Sequence, residues 1–574
     1  MKKYIISISM FALAGAMAYG QGAIDAYSLS QPDLKGTARF MGMAGAFGAL
    51  GGDLSTLSQN PAGIGVYRSN DIGFTLDLDL QNSASHADGQ HYNVDNTHFL
   101  LNNIGTVLTL KLPSQSVPNL NFGFTYNKAV SFNRTYGGNI STLYNSMSNY
   151  FAGIANDPDG SGLALSEDEI ASTNNYDPYN PGYGEYAPPW AAILGYDSYL
   201  ITPQTDMEGN TRWYGLWSDG MTGSTSGSGS FYVKERGAVN EFNIAFGGNF
   251  ANKLYWGMNF DIINLNYSLD TFWAENLANA MVPGADNQLV KESAEWNINN
   301  IYNVSGTGFN YQLGLIFKPV QEFRLGFAFH TPTWYNLNES FGADVNYLYG
   351  GTQSGSATTN GGILGYNSYS FRTPWKLMAS AAGVIGNNFI LSMDYEWANY
   401  GKMHFSDGPY FNDYDYGYDD WWPYSASQGP VAYSNFVNPN DPYGYENSDI
   451  ATYYKTSNTL RLGAEFKPTS NFSIRAGYSF VSSPVKNAVK DNKETIYTAG
   501  TNPSYRFDND TYYITGGIGY RYSHFYIDLA YVYKHMDSKF HAYTPDPSYP
   551  NIPSPQSNLS FSNNQVVLSA GYRF

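Results

Sequence analysis

The chain has 574 residues, a formal charge of −18, 17% aromatic and 14% charged residues, 59 glycines, 51 tyrosines and no cysteine. Acidity of this size argues against nucleic acid and anionic headgroups as partners, because both repel it. The charged fraction is well below the roughly 25% of a soluble domain, a mean hydropathy of −0.36 excludes a bundle of spanning helices, and the missing cysteines exclude a disulfide framework and a lipoprotein acylation site.

The first stretch, MKKYIISISMFALAGAMAYGQG, has Lys2 and Lys3 ahead of a short apolar run. Ala18-Tyr19-Gly20 then puts small residues where a signal peptidase reads. Residues 1–20 are predicted to be a Sec signal peptide cleaved after Gly20. The apolar run is shorter than the roughly 20 residues a spanning helix needs.

Residues 21–70 are predicted to form a plug. GTARFMGMAGAFGALGGDLSTLSQNPAGIGVYRSN shows no strand alternation. Its glycines let backbone pack closely, and Asn60-Pro61 favours a fixed turn. Phe40, Met41, Met43 and Phe47 supply apolar, adaptable surface and are the predicted ligand contacts.

DIGFTLDLDLQ follows. Ile72, Phe74, Leu76, Leu78 and Leu80 share one face; Asp71, Asp77 and Asp79 share the other. Period-2 segments recur near 71–81, 103–112, 119–132, 238–249, 254–268, 306–317, 322–332, 372–385, 388–404, 458–467, 471–482, 511–521, 524–535 and 564–574, fourteen in all. The connections alternate. PSQSVP, FANK, KPVQE, GNN, KPTSN and YS are short; Gly/Asn/Tyr/Asp-rich loops lie between them, the longest from about 133 to 237. That is the habit of an outer-membrane barrel, with apolar residues toward lipid and polar ones toward the lumen. The predicted fold is therefore all-β: a 14-stranded antiparallel transmembrane β-barrel over 71–574, plugged by the N-terminal segment. The even strand number predicts both termini at the periplasmic, short-turn end.

In the third strand Leu120, Phe122, Phe124 and Tyr126 alternate until the phase breaks at Asn127-Lys128, where a bulge is expected. In the longest loop, DPDGSGLALSED offers Asp157, Asp159, Ser161, the Leu163 carbonyl and Asp168 at the spacing of a helix-loop-helix calcium site. An ordinary Asp/Gly turn is the competing reading. His86, His91 and His98 cluster near the first outer loop. They are read as solvated, with a metal or haem iron as the alternative. Arg324, Lys376, Arg461, Arg475 and Arg521 share the lumen face with Asp394, Glu465 and Asp528. An internal salt-bridge ladder is the favoured reading; Arg324, Arg461 or Arg475 meeting a ligand carboxylate is the alternative. The chain closes on QVVLSAGYRF, an alternating strand ending in an aromatic residue, which resembles the signal read by the barrel assembly machinery.

GTARFMGMAGAFGALGGDLSTLSQNPAGI resembles the N-terminal hatch of the FadL/TodX family of outer-membrane transporters for hydrophobic compounds, with Asn60-Pro61-Ala62 as its motif. GFNYQLGLIFKPVQEFRLGFAFHTP and TPWKLMASAAGVIGNNFILSMDYEWANYGKM resemble two of its hairpins, and the likeness runs from about residue 35 to the C-terminus. The look is of a distant, Bacteroidota-like branch with longer outer loops than the fatty-acid branch has. The resemblance implies the outer membrane of a Gram-negative bacterium, a hatch, ligand capture near the outer loops and lateral release at a kinked third strand, here Asn127-Lys128. It implies passive transport of small hydrophobic or amphipathic compounds such as long-chain fatty acids, with no enzyme activity and no cofactor beyond the calcium alternative. A scaffold or shuttle barrel in a secretion complex, with a protein partner at the outer loops, is a second reading. An outer-membrane hydrolase is a third.

Overall fold

The computed structural model describes residues 21–158, 162–173, 175–181, 187–205, 209–218, 224–284, 288–386, 388–407, 443–492, 494–498, 500–544 and 554–574. The signal peptide, and Asp159 and Ser161 of the calcium motif, lie outside the described residues.

A closed antiparallel barrel surrounds the N-terminal segment. Its wall begins with β1 (Asp71–Ala87), β2 (Gln90–Lys111) and β3 (Asn119–Ser131), which β4 (Arg134–Ile140) continues after a break. A separate hairpin, β5 (Thr202–Thr205) and β6 (Thr211–Tyr214), belongs to the longest loop. β7 (Ser226–Phe250), β8 (Leu254–Pro283) and β9 (Leu289–Val320) are the tall part of the wall. β10 (Phe323–His330) continues as β11 (Trp334–Tyr349), which carries a small outer strand, β12 (Gln353–Thr358). β13 (Gly365–Arg372) continues as β14 (Lys376–Ile385), and β15 (Phe389–Asn399) as β16 (His404–Asp407). β17 (Thr456–Phe466), β18 (Phe472–Val481), β19 (Tyr505–Tyr522), β20 (Phe525–His541) and β21 (Gln556–Arg573) complete it. Each pairs with its neighbour, and β21 pairs with β1 from Asp71↔Arg573 to His86↔Asn558. Counting interrupted pairs once gives the fourteen strands that the alternation predicts.

The phase also matches. Ile72, Phe74, Leu78 and Leu80 face out, whereas Asp71, Asp77 and Asp79 are at most 2% exposed. Strand lengths differ from the expected ones. About 9–11 residues cross a bilayer, yet β8 has 30 and β9 has 32. Beyond the lipid nothing demands an apolar face, so the alternation fades while the hydrogen bonding continues. The expected first outer loop is likewise strand: β1 and β2 run on to a turn at Asp88-Gly89. Two proline sites interrupt the wall side by side, Pro332 between β10 and β11 and Pro374 between β13 and β14. Proline has no N–H for the ladder, and Thr333 instead donates its N–H to the Thr373 hydroxyl (2.9 Å).

Inside the barrel lie α1 (Ala23–Ser30), α2 (Ala38–Met41) and two 3-10 turns, Leu54–Leu57 and Pro61–Val66. Gln21 is fully buried, against Asn367 and Glu339 of the wall. Gln21, the expected first residue after cleavage, therefore lies in the lumen and not at the short-turn end, where both termini are predicted. The apolar face of α1 decides this, because Tyr27 stacks on Tyr454 (5.2 Å) in an aromatic cluster high in the lumen.

Over the long-loop end, α3 (Met147–Asn156), α4 (Glu167–Ile170), α5 (Trp190–Asp197) and the β5–β6 hairpin share one core with the tops of the tall strands. Phe151, Ile193 and Trp213 pack with Phe231, Trp273, Trp296 and Phe540. The loop is thus a folded cap.

Candidate functional site

The Asn60-Pro61-Ala62 turn is held from both sides. Asn60 caps it: its Oδ1 accepts from Ala62 N–H (3.1 Å), and its Nδ2 donates to the Gly48 carbonyl (2.6 Å). The wall leaves room by having no side chain. A Cβ on Gly314 would lie 2.0 Å from Asn60 Oδ1, one on Gly257 2.1 Å from the Pro61 carbonyl, and one on Gly326 2.3 Å from the Gly48 carbonyl. Wall donors meet the turn carbonyls: Asn121 on Ile64 (2.6 Å), Asn259 on Leu57 (3.0 Å) and Arg324 on Leu50 (2.7 Å).

Charges fix the same segment. Lys35 pairs with Asp77 (2.7 Å), Asp33 with Lys534 (2.9 Å) and Arg39 with Glu465 (3.2 Å). Burial alone would neutralise Lys35 and Asp33. The partner charges outweigh it, so Lys35 is raised and Asp33 lowered, and both stay charged. Asp394 accepts from Gly48 N–H (2.9 Å) and from Gln59 (3.2 Å).

Above this floor lies a cavity of about 200 Å³. The plug contributes Leu29, Asp33 and Phe40; the wall contributes Lys128, Val130, Glu241, His330, Lys376 and the Glu396–Arg461 pair. His330 Nε2 donates to the Gln59 carbonyl (2.8 Å). Lys376 makes no ion pair or hydrogen bond among the described residues, so a cation faces the space. The lining mixes apolar and charged groups. A second, smaller cavity of about 60 Å³ lies beside α1, with Asp25 on its wall. Burial lifts that carboxyl to about 7.

The third strand borders the larger cavity. The extra residue is Ala129, since Lys128 pairs with Asn240 and Val130 with Val239. The bulge is therefore just past Asn127-Lys128. Asn127 stays in register and donates to Asn243 in the lumen. Lys128 escapes lipid without a phase change, because its ammonium turns to Asn240 (3.3 Å). Pairing between β2 and β3 ends at Asn103↔Asn127. Beyond it β4 stays on β7 but turns inward: Tyr136 meets Phe540 and Phe561, and Gly137 accepts from Ser85. Among the described residues the upper edge of β2 has no hydrogen-bonded strand partner on that side, and Asn127 and Lys128, where the pairing stops, line the cavity.

Of the four apolar plug residues, Phe40 reaches this cavity. Met41, Met43 and Phe47 are fully buried in a cluster with Ala382, Tyr513 and Val532. They hold the plug to the wall. Arg475 is bound on both sides, by Glu465 (2.7 Å) and Asp528 (2.6 Å), and Arg324 supports the plug. Only Arg461 of the three arginines lines the cavity. The ladder reading holds for Arg475. In the calcium motif, Asp157 accepts from Gly162 N–H (2.9 Å), Asp168 lies exposed in α4 and the Leu163 side chain points to solvent. Among the described residues no three His, Cys, Asp or Glu gather as a metal cage. Sequence reading missed the wall glycines. Their signal is a glycine at an inward position of an otherwise alternating strand.

No family model and no curated protein matches the chain. Solved structures do. A Pseudomonas aeruginosa FadL homologue is 14% identical with a TM-score of 0.50, over 95% of this chain and 99% of that one. The P. putida toluene transporter TodX is 13% identical (TM-score 0.47, 94% and 99% covered), and the Ralstonia pickettii toluene transporter TbuX is 13% identical (0.44, 94% and 99%). At this identity the first of these establishes a shared fold: a FadL-type barrel.

Proposed function

We propose that this FadL-type barrel lies in a Gram-negative outer membrane and passes small hydrophobic or amphipathic compounds, long-chain fatty acids among them, by passive diffusion with lateral release. The observation that carries this reading is the cavity that meets the seam where β2 and β3 part. Passage straight through would push apolar surface into the periplasm at about 25 cal/mol per Å², whereas a sideways exit delivers it to lipid. The floor also favours a lateral route, because buried ion pairs and backbone seats hold it. The charged lining selects for a ligand with a polar head: Phe40, Leu29 and Val130 meet the chain, and Lys376 meets the head. The similarity to a P. aeruginosa FadL homologue supports such a role.

The test is deletion of Ala129. Removing the extra residue restores regular pairing with β7 and closes the seam. Uptake of a fluorescent fatty acid should fall to the barrel-free background while the barrel stays folded. Undiminished uptake overturns lateral release, and no uptake by the unaltered protein overturns transport.

One observation favours a second reading, a scaffold in an outer-membrane complex. The longest loop folds as a cap on one core with the tall strands, and Tyr144, Leu163, Tyr199 and Tyr214 are exposed on it. Crosslinking on whole cells separates the two.

A further inference from the structure

The geometry points to a binding site for a divalent late first-row transition ion between His86 and His91, at the outer tip of the β1–β2 hairpin. The local backbone builds it. Asp88 and Gly89 both have positive φ, 47° and 75°, as a type I′ turn requires. That two-residue turn fixes the register: Ala87 faces Gln90, and His86 faces His91. Ala87 and Gln90, flanking the turn, form the hydrogen-bonded pair. His86 and His91 are then the first non-hydrogen-bonded pair, where cross-strand side chains come closest. Their rings lie 4.5 Å apart at 80°, with the two Nδ1 atoms facing each other.

The two Nδ1 atoms share one hydrogen bond (2.5 Å). Once that proton leaves and the rings turn slightly apart, both lone pairs reach one ion, and imidazole nitrogens suit copper, nickel or zinc, which bind them at about 2.0–2.1 Å. Calcium and magnesium require oxygen ligands, and none converges here. The Asp88 carboxylate is turned toward the next loop, where its Oδ2 accepts from Thr142 N–H (3.3 Å) and the Ser141 hydroxyl (3.4 Å). That contact joins the hairpin tip to the start of the longest loop. Both histidines are exposed, on the outward face of the sheet, and water completes the coordination. Among the described residues no third His, Cys, Asp or Glu joins them. By the Irving–Williams order, Cu²⁺ binds tightest. The site lies outside the lumen and is independent of transport.

The experiment uses the mature chain in detergent, without a polyhistidine tag, titrated with Cu²⁺ alone. We expect one saturable copper per barrel and an electron paramagnetic resonance spectrum with two equatorial imidazole nitrogens. His86→Ala and His91→Ala should each weaken binding at least about tenfold, and His98→Ala should not. All variants are checked for heat-modifiable migration, so that loss of folding is not read as loss of the site. No saturable copper in the unaltered protein would mean that the two rings share only a hydrogen bond. Binding unchanged in both alanine variants would place the copper elsewhere. Either result overturns the proposal.

Discussion

Gly314 exists as glycine because Asn60 occupies the space its side chain would take. Gly314→Val is expected to lift the Asn60-Pro61-Ala62 turn off the wall. Overpacking of this kind costs about 1–3 kcal/mol. Limited proteolysis should then cut the plug while the strands stay resistant; an uncut plug refutes the seat. Asn60→Ala loses a cap and a bond to Gly48, a loss of about 1–2 kcal/mol by denaturant titration. Arg475 lies between two buried carboxylates, so Arg475→Ala leaves both without their shared cation. About 3–5 kcal/mol of barrel stability should go with it. A loss below about 1 kcal/mol would mean that Arg39 and Lys467 suffice for Glu465. The Asn60-Pro61-Ala62 motif was legible because it is local. Its glycine seats were not, because Asn60 and Gly314 are 254 residues apart in the chain and meet only when the barrel closes.

Among the elements, α1 carries a pH dependence. Asp25 is buried, and its carboxyl is raised from the ordinary 3.8 to about 7. The docked helix therefore holds its proton more tightly than the undocked one. Docking is most favourable below about pH 4, weakens as pH rises through about 7, and levels off only above that. Hydrogen exchange, corrected for its intrinsic pH dependence, should show α1 better protected at pH 6 than at pH 8. Asp25→Asn should abolish the difference; a difference that persists in that variant assigns it to another group. The third strand shows the limit of pattern reading at this scale. The break in alternation marks a departure from regular pairing to within two residues. That β4 then turns into the lumen depends on Tyr136 finding Phe540 and Phe561 on strands far ahead in sequence.

At the scale of the molecule, a buried carboxylate is one of the polar ties between the cap and the wall, beside their shared apolar core. Glu275 on β8 accepts from the Ser146 hydroxyl (2.5 Å), Met147 N–H (2.8 Å) and Trp273 Nε1 (2.9 Å), at the start of α3. Glu275→Ala leaves the Met147 N–H and the Trp273 Nε1–H unpaired in a buried place, at about 1–3 kcal/mol each as an upper range, while the Ser146 hydroxyl can turn to Ser148 (2.7 Å). The cap should become protease-sensitive while the barrel remains heat-modifiable. A cap as resistant as in the unaltered protein would show that its apolar core alone holds it.

By itself the sequence determined the barrel, its fourteen strands and which face of each meets lipid. A bilayer imposes one local rule along every strand, so segments such as DIGFTLDLDLQ carry their own answer. The plug was legible for the opposite reason, as an apolar, glycine-rich stretch with no alternation. Tertiary structure decided what the lumen holds. It buried Met41, Met43 and Phe47 in packing and brought Phe40 to the cavity, tied Arg475 into ion pairs while leaving Lys376 without one among the described residues, and carried Gln21 deep inside. Those outcomes depend on which inward-facing groups from distant strands come within a few ångströms, and no local pattern encodes that.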